Sequence, residues 1–521
     1  MLARVYIENF RSIKQLDLPL RPMTALVGPN NAGKSNILDA LNLVLGEAWP
    51  TVRQFEDADH RDHDPGLPIV IKVWFDQPIQ QQDPQGNALD IHGLALDLGQ
   101  YQRATGRSQR GDVKLDFHAI DEHGQPITVM RPGRGGARFP APLPVTTELR
   151  EASPLVCIGV DRDLQNELRA TKWSLLGRIL RAMERAFAGD AMRVLEFEKR
   201  AQEASELLRI PEFQELEDIL QQQVTRQTEL AGLSAGFRPF TPLDHYRALA
   251  LGLTEKPDGV VFDALEMGTG VQTAIVFALV QAFRRFVRES AIVAIEEPEL
   301  YLHPHACRHF YKLLRELAEN GTQVIYATHS SAFVDVAHFE EVVLVKRDDE
   351  GCTSVRTGAA VSLAEPERDG IKLLTRFDPT RNEMFFAERV LVVEGDAERM
   401  AMPLAFQLSG VDADRANISI VAAGGKPGVP FFAQMLAGLR IPFVALVDED
   451  PGKTTGEALT QRIQKLAGDV GTVVLMRPDF EGACGADHKL GPAEALRVFG
   501  SYGSAHELPA AIREAIEKLT G

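Results

Sequence analysis

At 521 residues, with 45% apolar and 25% charged side chains, the chain has the ordinary composition of a globular protein and the length for two or three domains, each with its own core. A formal net charge of −17 excludes a protein that coats nucleic acid by charge alone, but not an enzyme whose clustered carboxylates hold divalent cations. Four scattered cysteines, Cys157, Cys307, Cys352 and Cys484, form no CxxC pair, and no apolar run approaches the roughly 18 residues of a membrane span, so a zinc ribbon, a disulfide framework and a membrane anchor are all disfavoured.

The expected location is therefore a reducing cytoplasm. The chain opens directly on the strand-like Leu2-Ala3-Arg4-Val5-Tyr6-Ile7, so no signal peptide is expected to precede the fold. A short apolar strand, Met23 to Val27, runs into Gly28-Pro29-Asn30-Asn31-Ala32-Gly33-Lys34-Ser35 and then the helix-like Ile37 to Leu41. Strand, glycine loop and helix in this order give the GxxxxGK[ST] phosphate loop its required context. Backbone N–H groups from Asn30 to Gly33 would surround the phosphates, Lys34 would reach the outer ones, and Ser35 would ligate magnesium.

From Ile69 to Val145 alternating pieces such as Val70 to Phe75 and Val113 to His118 suggest antiparallel strands, a β lobe attached to the nucleotide core. Arg103, Arg107, Arg110, Lys114, Arg131, Arg134 and Arg138 populate its loops, as solvated turns or as contacts to a phosphate backbone. Residues 161–230 read as helix, with Pro211 as a hinge. After it Phe213, Leu216, Ile219, Leu220 and Val224 recur at helical spacing. That stripe packs either on its own domain or on a second subunit. Further on, Gly268 and Gly270 precede a helix beginning near Ile275. The unbroken apolar pentad Ala291 to Ile295 reads as a central strand that delivers Glu296 and Glu297 to its carboxyl end, before Pro298. Beside a nucleotide's phosphates one such acid can hold magnesium and the other orient water; in isolation the pair would be only a charged strand-to-loop junction. A further apolar strand, Gln323 to Ala327, closes on His329.

These segments together resemble the ATPase heads of the ABC superfamily in its SMC and overcoming-lysogenization-defect (OLD) branches. The resemblance implies a signature at Gly268 and Gly270 that caps the phosphate held by a second subunit, magnesium-ATP bound through Glu296, water activation by Glu297, and a switch role for His329. It implies at least a homodimer. Family heads commonly carry Asp where Glu296 stands, a departure that lengthens the arm to magnesium. Gln54 and Gln77 both fit the expected glutamine contact between phosphate loop and lobe.

A second strand and helix alternation begins near Ala387. Val390 to Val393 ends in Glu394-Gly395-Asp396-Ala397-Glu398, Ile418 to Val421 ends in Ala422-Ala423-Gly424-Gly425-Lys426, and Phe443 to Val447 ends in Asp448-Glu449-Asp450. Glu394 and Glu398 are one helical turn apart, and Asp448 and Asp450 should point the same way along an extended segment. Hard oxygen donors meeting at one sheet edge make a magnesium or manganese site, with calcium a further candidate. The pattern resembles the Toprim domain, and its position after an ABC head resembles OLD-family nucleases specifically. That resemblance implies one metal on Glu394, Glu398 and Asp448, a second on Asp450, Asp479 and Glu481, and a lysine, Lys489 or Lys426, near the scissile phosphate. Topoisomerases and primases fit less well: Tyr502 is the only tyrosine after Ala387, and zinc-binding cysteines are missing.

The expected architecture is thus α/β: an ABC-type ATPase core with a β lobe and an inserted helical hairpin, followed by a Rossmann-like Toprim domain. Its segments are 1–160 and 237–386 for the head, 161–236 for a dimerising insertion, and 387–521 for the Toprim domain. The function expected is an ATP-binding and ATP-hydrolysing, divalent-metal-dependent DNA endonuclease in phage defence or DNA processing, with ATP turnover either driving or restraining cleavage. The rival is an SMC-like DNA-binding ATPase whose Toprim domain does no chemistry. A further reading makes the chain the nuclease partner of a separate helicase.

Overall fold

The computed structural model describes the chain outside residues 47, 84, 101–112, 134–136, 160–167, 172–173, 228–240, 255, 257–258, 287–290, 301, 362–378 and 452–453. The basic positions Arg103, Arg107, Arg110 and Arg134 lie outside the described residues. Two compact units emerge, one of Met1–Val160 with Ile292–Gly521, the other of Asp161–Ala291.

In the first unit, β1 (Leu2–Phe10), β2 (Ile13–Pro19), β4 (Ile69–Gln82), β5 (Ala88–Gln100) and β6 (Val113–Ile120) form an antiparallel sheet in the order β2-β1-β4-β5-β6. This is the β lobe that the alternating segments predict, and it also recruits the first two strands of the chain. Its inner face carries Val5, Ile7, Ile71, Val73, Leu94 and Leu96, all buried against α1 (Lys34–Leu45). Lys114 at the lobe's rim pairs with Asp116 at 2.6 Å, as a solvated charge would. A small hairpin, β7 (Thr128–Pro132) and β8 (Arg138–Pro142), follows.

The nucleotide core is a six-stranded sheet ordered β15-β14-β3-β13-β12-β9. It uses β3 (Met23–Val27), β9 (Leu155–Ile158), β12 (Ile292–Glu296), β13 (Gln323–Thr328), β14 (Val342–Arg347) and β15 (Thr353–Thr357). All neighbours are parallel except β14 and β15. The three central strands β3, β13 and β12 are buried almost throughout, which is why their sequences are continuous apolar runs.

The second unit contains three successive long helices rather than a hairpin hinged at Pro211. They are α2 (Leu175–Ala188), α3 (Ala191–Leu207) and α4 (Pro211–Gln227). Gly189 and Asp190 make an additional break, with Asp190 capping α3 through the Arg193 amide at 3.2 Å. Pro211 takes the first helical position of α4, where its missing N–H costs nothing. No α3 residue is buried, and Leu195, Leu207 and Ile219 are 64%, 82% and 51% exposed. The unit continues past residue 236 through the short strands β10 (Gly252–Thr254) and β11 (Val261–Asp263) into α5 (Thr269–Phe286).

After α6 (Pro304–Glu319) and the strands above, the last sheet is fully parallel, ordered β17-β16-β18-β19. Its strands are β16 (Arg389–Val393), β17 (Ile418–Ala422), β18 (Phe443–Asp448) and β19 (Gly471–Met476). The helices α7 (Asp396–Leu408), α8 (Val429–Gly438), α9 (Thr454–Ala467), α10 (Phe480–Ala483), α11 (Pro492–Ser501) and α12 (Ala510–Thr520) surround it, and α7, α11 and α12 share one hydrophobic cluster with the strands.

A polar joint links the nucleotide core to the segment that leads into the last sheet. Asn382, buried, donates to the carbonyls of Ser331 (3.0 Å) and Val334 (2.6 Å) and accepts from the Val336 amide at 3.2 Å. Phe339 meets Phe431 edge-on at 6.0 Å. No described helix is long and apolar enough to cross a membrane.

Candidate functional site

Chain topology assembles the nucleotide site. Because β13 lies between β3 and β12, the phosphate loop, Glu296 and His329 leave three adjacent strands at their carboxyl ends. Val27 is in register with Thr328, and Ala327 with Glu296. Asn31 (φ +60°) and Gly33 (φ +105°) carry the loop's sharp turn, and a Cβ on Gly33 would stand 2.1 Å from Thr353 Oγ1. Thr353 in turn donates to the Ala32 carbonyl at 2.9 Å, and Arg347 Nε donates to the Asn31 carbonyl at 2.8 Å. These braces from β14 and β15 hold the loop in place. Asn30 and Ser35 stay exposed at its mouth.

Lys34 is buried, donating to the Gly28 and Pro29 carbonyls at 2.8 and 2.9 Å. Burial pulls its ammonium down to about 8, against the upward pull of Glu297, Glu299 and Glu296. Glu297 turns out of β12 in a left-handed conformation (φ +43°), with its amide on the Ala327 carbonyl at 2.8 Å. His329 Nε2 lies 3.8 Å from Glu297 Oε1, and burial together with the Lys34 charge holds the imidazole below its usual range, hence neutral at pH 7. Glu299 orders this corner: it accepts from Thr328 Oγ1 at 2.9 Å and from the His329 amide at 2.6 Å. In the other unit, Gly268 and Gly270 are exposed at the start of α5 with no atom within 4 Å of a built Cβ, an open helix amino terminus.

The second site forms where the strand order of the last sheet reverses, between β16 and β18. Glu394 leaves β16 and accepts the Asp448 amide at 2.8 Å, and Asp448, ending β18, accepts the Phe480 amide at 2.9 Å. Glu398 is one turn into α7 and only 9% exposed. Burial pushes Asp448 up to about 7, with Glu394 and Glu398 adding to the shift. Glu394 and Glu398 are also raised by burial, Glu398 further by Glu481. A half-buried set of hard oxygen donors that repel one another is what a divalent cation compensates, so the donor chemistry fits such an ion. Among the described residues no three acidic, His or Cys side chains already meet at ligand distance from one point.

Two expectations change. Asp450 is not on an extended segment: its φ is +54°, its amide reaches the Pro478 carbonyl at 3.3 Å, and its carboxylate pairs with Lys426 Nζ at 3.2 Å. The supposed outer trio is also divided. Asp479 caps α10 through the Gly482 amide at 2.7 Å, while Glu481 acts electrostatically on Glu398 and accepts the Leu490 amide at 3.2 Å. Of the two lysines left open by the sequence, Lys489 is exposed with its charge reaching Glu398, whereas Lys426 is buried beside Asp450.

Comparison with known proteins agrees with this two-site organisation. The family described as "AAA ATPase domain" matches residues 1–125, a further AAA domain family matches 163–335, and "Overcoming lysogenization defect protein-like, TOPRIM domain" matches 385–450. The OLD nuclease of Thermus scotoductus is 34% identical over 514 residues, covering 93% of this chain and 92% of that one. The Old nuclease of Escherichia phage P2 is 25% identical over 472 residues, covering 86% and 77% respectively. Among solved structures, the SMC head domain from Thermotoga maritima aligns at 15% identity over 68% of this chain and 98% of that chain, with a TM-score of 0.33. The identity to the Thermus enzyme over nearly the whole of both chains makes this chain a member of the OLD nuclease family, an ATPase and a TOPRIM nuclease in one polypeptide.

Proposed function

We propose that this ATPase and nuclease cuts DNA by metal-dependent phosphodiester hydrolysis at the β16–β18 edge, under control of the ATP-binding head. The observation that carries the reading is Asp448: its carboxylate is pushed to about 7 by burial and by Glu394 and Glu398, at a sheet edge where ligands of parallel sheets bind. Magnesium or manganese, with calcium a weaker candidate, would be held by Glu394, Glu398 and Asp448, with Asp450, Glu481 and Asp479 as the outer acids. Such ions activate water and hold the leaving oxygen. Lys489, whose charge reaches Glu398, would meet the phosphate there.

In the head, Asn30, Asn31, Gly33, Lys34 and Ser35 would hold magnesium-ATP with Glu296, Glu297 would orient the water, and neutral His329 would read the outer phosphate. Gly268 and Gly270 of a second copy would cap that phosphate. The exposed apolar positions of α3 and α4 support segment 161–236 as the surface joining the two copies. The segments 1–160 and 237–386 then act as the head, and 387–521 as the nuclease, in DNA processing or phage defence inside the cell.

Cleavage of supercoiled and linear DNA with magnesium or manganese, with and without ATP, tests this. Wild type should nick or linearise DNA, Asp448→Ala should not, and Lys34→Ala should lose ATP hydrolysis. Wild type that hydrolyses ATP but cuts nothing would favour a DNA-binding ATPase, unless an added helicase partner restores cutting.

A further inference from the structure

Lys426 follows two glycines, Gly424 (φ +77°) and Gly425 (φ +112°), that bend the chain sharply off the end of β17. The bend is held by the Gly425 amide on the Glu394 carbonyl at 2.6 Å, and it aims Lys426 inward under the acidic edge. Lys426 is 5% exposed. Lysine is almost never this buried unless its charge is matched. Its Nζ donates to the main-chain carbonyl of Asp448 and to Asp450 Oδ2, and its charge also acts on Glu394. The Lys426 ammonium thus bonds the β18 terminus, while its own glycine turn, at the end of β17, is bonded to the β16 terminus.

Asp450 needs such a tie. Its left-handed backbone is uncommon for a residue with a side chain, and α9 presses on it closely enough that a Cβ on Gly456 would stand 2.9 Å from the Asp450 Cβ. The backbone is held by this packing and by the Pro478 carbonyl, and the carboxylate is bonded to Lys426.

We propose that Lys426 is a buried structural cation of the nuclease cluster, a positioning residue that keeps Asp448 and Asp450 in ligand-ready order before a divalent ion binds. This rests on the metal-site reading above. It differs from the role proposed for Lys489, because a buried ammonium bound to the β18 turn orders ligands and does not touch DNA.

The test is thermal unfolding of the full-length, nucleotide-free protein in EDTA and across a manganese titration, for wild type, Lys426→Met, Lys426→Gln and Asp448→Asn, followed by cleavage kinetics at saturating manganese. In EDTA, Lys426→Met should melt below wild type, and manganese should recover most of the difference, so that its metal-induced shift exceeds that of wild type. Lys426→Gln, which can still donate to both acceptors without charge, should fall between them and carries the comparison if the Met variant does not fold. With metal, kcat for cleavage should drop about 10- to 100-fold, with KM for DNA within about twofold of wild type. A loss of stability equal in EDTA and manganese would reduce Lys426 to a packing residue and overturn the inference. So would a raised KM with kcat unchanged, the mark of a DNA contact. A wild-type protein with no metal shift, or with one that Asp448→Asn retains, would instead remove the metal site itself.

Discussion

The two sites solve the placement of charge in opposite ways. The nucleotide site is held by hydrogen bonds that exist without any ligand: Thr353 and Arg347 brace the phosphate loop, Lys34 is closed onto two carbonyls, and Glu299 is satisfied by Thr328 and the His329 amide. At the nuclease edge, burial and mutual repulsion push Glu394, Glu398 and Asp448 toward their protonated forms, and Lys426 is a buried cation bonded there. A braced loop can discriminate by fit. A repelling cluster responds to whatever cation neutralises it, so its chemistry should be switched by metal rather than by shape.

The strongest break in that contrast is Asp448→Ala. It should lower DNA cleavage by at least about 10³-fold while leaving ATP hydrolysis unchanged, measured on the same preparation. Next, Lys34→Ala should reduce ATP turnover by about 10²- to 10³-fold. Metal-driven cutting without ATP should survive it, and loss of that cutting as well would show that the two sites do not act separately.

Much of this contrast could be read from local sequence. Continuous apolar strands followed at once by Gly28 to Ser35, Glu296-Glu297, Glu394 or Asp448 carry their chemistry at the strand end, where a parallel sheet presents it. What the sequence hid depends on partners far along the chain. The four-residue strand β9 is recognisable only by its pairing with β12, and the brace from Thr353 to Ala32 spans 321 positions. Lys426 was visible as a lysine after a glycine pair, but its burial depends on the turn of Asp450, a left-handed conformation that no residue type announces. Asn382 resembles any loop asparagine until its partners 46 to 51 residues upstream are known.

Gly33→Ala sharpens the comparison from the braced side. The added methyl would enter a left-handed position, a strain of roughly 1–3 kcal/mol, and would meet Thr353 Oγ1 at 2.1 Å. Nucleotide binding, followed by fluorescent ATP titration, should weaken by at least about tenfold, with no change in metal binding at the other site. Asn382→Ala removes the polar joint, leaving a buried carbonyl, a part-buried carbonyl and a buried amide without their partner. It should cost about 1–3 kcal/mol, seen as a lower denaturation midpoint with both metal titration and ATP titration intact. Weakened binding at either site would mean that the joint also shapes that site.

The smallest effect is the pH dependence of magnesium stabilisation at the repelling site. In the unfolded chain Asp448 releases its proton near pH 4, whereas in the folded chain it holds the proton up to about 7. Between those values the folded state binds more protons than the unfolded state, so the contribution of this group to metal-free stability is present at low pH and is lost as pH rises through about 7. Magnesium reverses the dependence, because at pH 6 the ion must displace a proton and at pH 8 it need not. The rise in melting temperature caused by magnesium, without nucleotide, should therefore be larger at pH 8 than at pH 6, and Asp448→Asn should abolish the difference. An equal rise at both pH values would mean that the cluster is already ionised without metal. The contrast between a braced site and a repelling one would then fail at its acidic end, because Lys426 and the amides of Asp448 and Phe480 would by themselves suffice to hold three carboxylates together.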